Sequence, residues 1–344
     1  MSEFRPIRRL EREQVERDRL APGATRSVDT KGRATQEEPD EFRTAFQRDR
    51  DRILHTKAFR RLKHKTQVFM NPDGDHFVTR LTHTMQVTQI GRAIAQSLGL
   101  NEDLTEAICL AHDVGHSPFG HTGEDALSEF VEGEWLHSAH GVRLLSELEP
   151  LNLTWEVLDG IRAHSWKIDP PPATPEGMAC RFADRIAYLT HDVDDAMRAG
   201  VLTLADLPSA ALDVFGVPGS EWIGTMVRAV VDGSSGGSGL HMADDVLEAM
   251  HELRAFMFER VYLRPGTESQ RSHAMRVVRT LVEHFNDHPD AMPEGSLRPG
   301  DSVEENVIDF VAGMTDRYAL RLFDSVGIAP AGGTPLPEGS GSDA

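Results

Sequence analysis

Apolar residues in this chain recur at helical spacing, and nowhere do they alternate over a stretch long enough to build a sheet. Val87, Ile90, Ile94 and Leu98 line one face of a helix that Gly99 closes as a left-handed residue. Leu104, Ile108 and His112 follow at steps of four behind Asn101, a good N-cap, and Phe182, Ile186, Leu189 and Val193 repeat the pattern. Helices also fit 242–263, 268–286 and 303–325. The fold class is therefore expected to be mainly α, one helical body over 41–326 with a core at about 60–200 and further C-terminal helices over 240–326. Pro170 to Gly177, GSSGGSG at 233–239 and the Pro/Gly-rich 289–300 interrupt the helices. Residues 1–40, highly charged and punctuated by Pro22-Gly23, read as a mobile arm that can order on assembly or ligand binding. The Pro/Gly/Ser-rich 327–344 reads as a disordered tail.

Charge narrows the partners. Over 344 residues, Lys+Arg 36 against Asp+Glu 55 leaves −19, a field that disfavours nonspecific binding to nucleic acid or to an anionic membrane. No apolar run approaches the roughly 18 residues of a membrane span, and the N-terminus lacks the apolar segment of a signal peptide, so a cytoplasmic location with no membrane partner is expected. Cys109 and Cys180, the only cysteines, exclude a disulfide framework and fit a reducing compartment. Segment 43–65 runs against the net charge, with nine Lys/Arg against two Asp, which suggests an anion site or a contact with an acidic neighbouring subunit, hence a homo-oligomer.

The chemistry gathers where polar residues enter apolar stripes. His83 precedes Val87 by four and faces inward, as a core histidine or a ligand. His112 continues an inward stripe, and Asp113 beside it puts a carboxylate where the pattern asks for an apolar residue. Buried carboxylates need a partner or a cation, and two imidazoles with carboxylates suit Mn, Fe, Co, Ni, Zn or, less comfortably, Mg. Each histidine taken alone is more often structural. His121 and Glu124, i and i+3 after a Gly/Pro loop, can meet as an acid–base pair or as a bland surface pair. Asp184, Tyr188 and Asp192 share a polar face that is usually solvated but here can line a pocket and supply one more metal carboxylate. Arg80, a turn before His83, is placed to hold a phosphate.

His83, His112-Asp113 and Asp184, in that order on three helical segments, resemble the His…His-Asp…Asp signature of the HD-domain phosphohydrolase superfamily. FQRDRDRILHTKAFRRLKHKTQVF, GDHFVTRLTHTMQVTQI, LNEDLTEAICLAHDVGHSPFGHTGEDAL and FADRIAYLTHDVDDAMRAG are similar to the deoxyguanosinetriphosphate triphosphohydrolase (dNTPase) family over most of 40–200, with weaker likeness at FMFERVYL and DFVAGMTDRYAL. The resemblance implies an HD-domain helical fold and one divalent ion held by His83, His112, Asp113 and Asp184. It also implies a catalytic pair in His121 and Glu124, phosphate contacts from Arg80, His116, Arg185 and Tyr188, and reading of the sugar 3′-hydroxyl by Gln67 and Asp192. Position 185 is Lys in some relatives. Where the family often reads His-Asn-Glu-Gln-Ser, this chain has His137-Ser138-Ala139-His140-Gly141, and the resemblance assigns His137 no role. The implied reaction is hydrolysis of a deoxynucleoside triphosphate to deoxynucleoside and inorganic triphosphate. Pairing of the basic arm with the acidic surface would allow oligomerisation, and activation by a second nucleotide at a subunit interface. The competing readings are another HD-type nucleotidase or phosphodiesterase, which cleaves elsewhere, and a non-catalytic nucleotide-sensing oligomer.

Overall fold

The computed structural model describes residues 4–67, 78–237, 239–264 and 267–328. Among these residues the chain forms fifteen α-helices and no strand, with isolated bridges only at Arg33–Thr154 and Thr66–Thr79. In chain order the helices are α1 (Arg9–Arg19), α2 (Ala45–Leu54), α3 (Lys57–Arg61), α4 (Arg80–Leu98), α5 (Glu102–Ala111), α6 (His121–Leu127), α7 (His137–Arg143), α8 (Trp155–Ala163), α9 (Pro175–Arg198), α10 (Ser209–Phe215), α11 (Ser220–Ser234), α12 (Asp244–Met257), α13 (Glu268–Asp287), α14 (Val303–Ala312) and α15 (Asp316–Ile328). The mainly α expectation holds.

The stripes read in the sequence become the core. Gly99 closes α4 with φ 67°, and the Asn101 side chain accepts from Leu104 N to start α5. Ile90, Ile94, Leu104 and Ile108 are buried where α4 packs on α5 and α9, each contributing about 1.5–3 kcal/mol of apolar transfer. A second apolar cluster, with Leu127, Leu281, Phe285 and Val311, joins α6 to α13, α14 and α15. The turn-rich stretch between α5 and α6 crosses from one cluster, at Val114, to the other, at Phe119. It is therefore held from both sides.

Several expectations are corrected. The 303–325 helix is two helices, because Gly313 caps α14 by donating to Asp309 O and Thr315 Oγ1 accepts from Tyr318 N to begin another. The 242–263 helix ends in a π-helical turn, Phe258–Tyr262. Residues 4–40, expected to be a mobile arm, carry α1 and are fastened by buried acids of the core. Glu176 accepts from Thr25 N at 3.0 Å and Thr25 Oγ1 at 2.8 Å, and Glu156 from Thr30 Oγ1 at 2.6 Å and Lys31 N at 2.7 Å. Unpaired, those carboxylates would be costly, so the arm completes the core it covers. Much of the basic segment is likewise spent internally: Arg50 on Asp103 at 2.8 Å, Arg52 on Glu37 at 2.7 Å, Arg43 on Asp40 at 2.8 Å and Asp51 at 2.9 Å. The 327–344 tail lies almost wholly outside the described residues.

Candidate metal centre and catalytic pair

The metal group is assembled by the ends and faces of three core helices. The α4 helix turns His83 inward until its ring is 1% exposed. The α5 helix ends at Ala111, so His112 and Asp113 sit in the turn that follows it. His112 Nδ1 donates to the Cys109 carbonyl at 2.7 Å, which leaves a lone pair on Nε2. That Nε2 is buried without a hydrogen-bond partner and lies 3.5 Å from Asp113 Oδ1 and 3.8 Å from Asp184 Oδ1. His83 Nε2 stands 3.1 Å from Asp184 Oδ1 and 3.9 Å from Asp113 Oδ2. A lone pair aimed at two carboxylates is repulsive unless a cation lies among them, and the donor atoms of His83, His112 and Asp184 all fall within 4.8 Å of one another. The residues fit a divalent ion. Burial pushes the Asp113 carboxyl up, but His112, Arg80 and His116 outweigh it and hold Asp113 well below the usual range; burial raises Asp184 too, and the hydrogen bond to His83 with the neighbouring His112 outweighs it and lowers that carboxyl. Both carboxylates thus arrive ionised.

The loop from Gly115 to His121 brings the second group alongside. A Cβ on Gly115 would stand 2.2 Å from the His137 carbonyl oxygen, so only glycine lets α7 press this closely. Gly120 adopts φ 58°, where any Cβ would meet the Arg80 guanidinium at 2.8 Å. His121 opens α6 with its side chain 75% exposed, while Glu124 one turn on is 8% exposed and meets His121 Nδ1 at 2.8 Å. Glu124 Oε1 also accepts from His137 N at 2.8 Å and meets His137 Nδ1 at 3.0 Å. Burial raises Glu124, but His137 and the hydrogen bonds from both imidazoles prevail and hold it far below its ordinary value. His116 stacks on His137 at 3.7 Å and reaches Asp113 Oδ1 at 3.3 Å; burial and Arg80 depress its pKa well below normal.

The remaining sequence candidates surround this centre. Arg80, 2% exposed, is paired with Asp113 Oδ2 at 2.7 Å, so a phosphate must compete with or share that pairing. Asp184, Arg185, Tyr188 and Asp192 all lie on α9. Arg185 lies over the Trp166 ring at 4.0 Å with Nη1 3.3 Å from His251 Nε2. Tyr188 is half-buried, and burial, ahead of Asp184, outweighs Arg185 to raise its phenol. Asp192 accepts from Tyr262 Oη at 2.6 Å, and burial lifts its carboxyl to about 7. Gln67 presents a buried Oε1 with no hydrogen-bond partner, and its backbone borders Gly120.

Sequence reasoning missed several contributors. His164, 2% exposed, meets His137 Nε2 through its own Nε2 at 3.1 Å. Tyr262 reaches Asp192 from the π-helical turn. Lys65 is buried, donates to the carbonyls of His116 and Ala312, and is pushed down to about 7 by burial and Arg61. Asp316 accepts from Phe119 N at 3.0 Å and from Thr66 N at 3.0 Å. An isolated histidine or aspartate carries no spacing signal, so only the fold reveals these partners.

Residues 80–189 match the HD domain and residues 240–325 the phosphohydrolase-associated domain, so the helical fold and its His/Asp centre define an HD-domain phosphohydrolase. Similar curated proteins include deoxyguanosinetriphosphate triphosphohydrolase-like proteins of Caldanaerobacter subterraneus subsp. tengcongensis, 47% identical over 91% of this chain and 94% of the relative, and of Desulfatibacillum aliphaticivorans, 43% identical over 91% and 96%. That of Clostridium tetani is 42% identical over 91% and 94%. The chain belongs to this deoxyguanosinetriphosphate triphosphohydrolase-like family. A crystal structure of a hypothetical protein from Aquifex aeolicus shares the fold at TM-score 0.50 and 18% identity, covering 80% of this chain and 67% of that one. Among the described residues no helix is long and apolar enough to cross a membrane.

Proposed function

We propose that this chain hydrolyses deoxynucleoside triphosphates, dGTP or its analogues, between the 5′ oxygen and the α-phosphorus, yielding deoxynucleoside and inorganic triphosphate. The observation that carries the reading is an exposed His121, oriented by a buried, ionised Glu124, beside a His/Asp group suited to a divalent ion. An ion held by His83, His112, Asp113 and Asp184 supplies Lewis-acid polarisation of a phosphoryl oxygen. Everything else is done by side chains. Arg80 and Arg185 neutralise phosphate charge, with His116 and Tyr188 along the same wall. Gln67 and Asp192 offer hydrogen bonds to the sugar 3′-hydroxyl. Water adds to the α-phosphorus, the bond to the 5′ oxygen breaks, one proton leaves the water and one reaches the departing oxygen. Because the ionised Glu124 accepts the hydrogen bond from His121 Nδ1–H, the exchange is assigned to His121 Nε2.

The test is incubation with each deoxynucleoside triphosphate and Mn2+, followed by phosphorus NMR. Release of intact triphosphate is expected. Monophosphate or pyrophosphate would move the chain to another HD-type nucleotidase, and absence of turnover would favour the nucleotide-sensing reading.

A further inference from the structure

Arg185 is buried without the partner that a buried arginine ordinarily takes. The residue is 7% exposed, yet among the described residues no carboxylate lies within ion-pair distance of its guanidinium. Two other side chains hold it instead. The guanidinium carbon lies over the Trp166 ring, 4.0 Å from its centroid, and Nη1 is 3.3 Å from Nε2 of His251 on α12. A guanidinium only donates, so His251 Nε2 accepts through a lone pair. Burial, ahead of Arg185 and Arg254, pushes the His251 pKa down and keeps that ring neutral. The turn that carries Trp166 is fixed from α9 itself: Trp166 Nε1 donates to Arg181 O at 3.0 Å, and Arg181 Nη2 donates to the Ser165 and Ile168 carbonyls at 2.7 and 2.9 Å. Arg185 Nε, by contrast, is buried with no hydrogen-bond partner. An unsatisfied charged N–H is costly, and the nearby Arg254 adds repulsion. An anion at the Nε edge relieves both.

We propose that Trp166 and His251 are positioning residues that clamp the Arg185 guanidinium, one on its face and one on its rim, and leave its Nε edge for the triphosphate. The inference rests on the phosphate contact proposed above for Arg185. Such a clamp is selective for a planar cation. A guanidinium has a flat face for the indole and N–H groups around its rim, so it lies on Trp166, bonds His251 through Nη1 and still has donors with which to grip an oxyanion. A lysine ammonium is a compact, strongly hydrated point charge and cannot meet all three demands at once. Although position 185 is Lys in some relatives, Lys is therefore not equivalent to Arg in this chain. The clamp also gives α12 a part in the site: Trp166 and Arg185 fall within the HD-domain match at 80–189, and His251 within the associated match at 240–325.

The experiment titrates inorganic triphosphate into the full chain at saturating Mn2+ and reads the dissociation constant by calorimetry. Trp166→Leu and His251→Leu are each expected to weaken binding by about 3–30-fold with an unchanged circular dichroism spectrum. His251→Gln, whose amide oxygen accepts the same hydrogen bond, should recover most of that loss, a rescue that a merely structural role would not give. Arg185→Lys, which keeps the charge, should bind almost as weakly as Arg185→Ala. Unchanged binding in a folded Trp166→Leu or in His251→Leu, with Arg185→Ala weakened, overturns the clamp and leaves Arg185 as a phosphate contact. Arg185→Lys binding as tightly as the unsubstituted chain overturns it as well. Unchanged binding in Arg185→Ala, or none by the unsubstituted chain, removes the phosphate role of Arg185 along with the clamp, while the phosphorus NMR assay still decides the proposed reaction separately. Should Trp166→Leu misfold, the two variants of the exposed His251 and Arg185→Lys decide.

Discussion

Because Glu124 is buried and ionised while His121 is exposed, the acid fixes the tautomer of the ring, and in the proposed reaction the ring carries the proton to the reacting oxygens. His121→Ala is therefore expected to lower kcat by about 10²–10⁴ with Mn content and Tm retained. Loss of metal together with activity would show instead that His121 is structural. Asp192 makes a pH prediction. Its carboxyl titrates near 7 in the folded chain against 3.8 ordinarily, so it is protonated in both states below about pH 4, and its stabilising contribution is then fully present. Between about 4 and 7 the unfolded chain releases the proton and the native chain keeps it, so stability falls as pH rises, by up to about 4 kcal/mol. Asp192→Asn should flatten the decline of Tm from pH 5 to 7 in chelator-treated protein; parallel declines would contradict the assignment. The inward placement of His83, His112 and Asp113 was legible in the sequence because each interrupts or extends an apolar stripe. His164 was not, since its partner lies 27 positions away and across a helix pair.

At the scale of elements, the loop between α5 and α6 is braced by α14 and α15, helices of the second apolar cluster. Lys65 ties His116 O to Ala312 O, Asp316 ties Phe119 N to Thr66 N, and His140, which lies 2.8 Å from Gly115 O through Nδ1, reaches Asp309 at 3.5 Å. Phe119 holds φ 64°, a conformation an L-residue keeps only when its surroundings impose it. Asp316→Ala removes the acceptor for both backbone amides at once. We expect kcat to fall on the order of 10²-fold through displacement of His116 and His121, with metal content unchanged; an unaltered kcat would mean that apolar packing alone positions the loop. The helices of this bundle were readable from periodicity. The break between α14 and α15 was not, because buried Val311, Ala312, Met314 and Ala319 carry the apolar pattern straight across Gly313 and Thr315, whose caps divide the two helices. Gly99 and Asn101, whose caps are local, were placed from sequence alone.

Across the whole molecule, composition described the N-terminal segment poorly for a similar reason: Thr25 and Thr30 find Glu176 and Glu156 at separations of 151 and 126 residues. Within a chain of net charge −19, four of the arginines of 43–65, which the sequence suggests for an anion, are already paired with acids of the same chain: Arg43, Arg48, Arg50 and Arg52. The arm leaves Phe4, Ile7 and Leu10 exposed, and with them we propose a homo-oligomer. Light scattering should then return a mass above the 38.1 kDa of one chain, lowered by Ile7→Glu with Leu10→Glu; a monomer before substitution would refute the association. The central claim is that residues from α4, α9 and the turn after α5 share an ion. Anomalous diffraction at the manganese edge from crystals grown with Mn2+ tests this most directly. The predicted result is a peak within about 2.0–2.3 Å of ligand atoms from His83, His112, Asp113 and Asp184; a peak that excludes these residues, or none with the four side chains ordered as described, would contradict it.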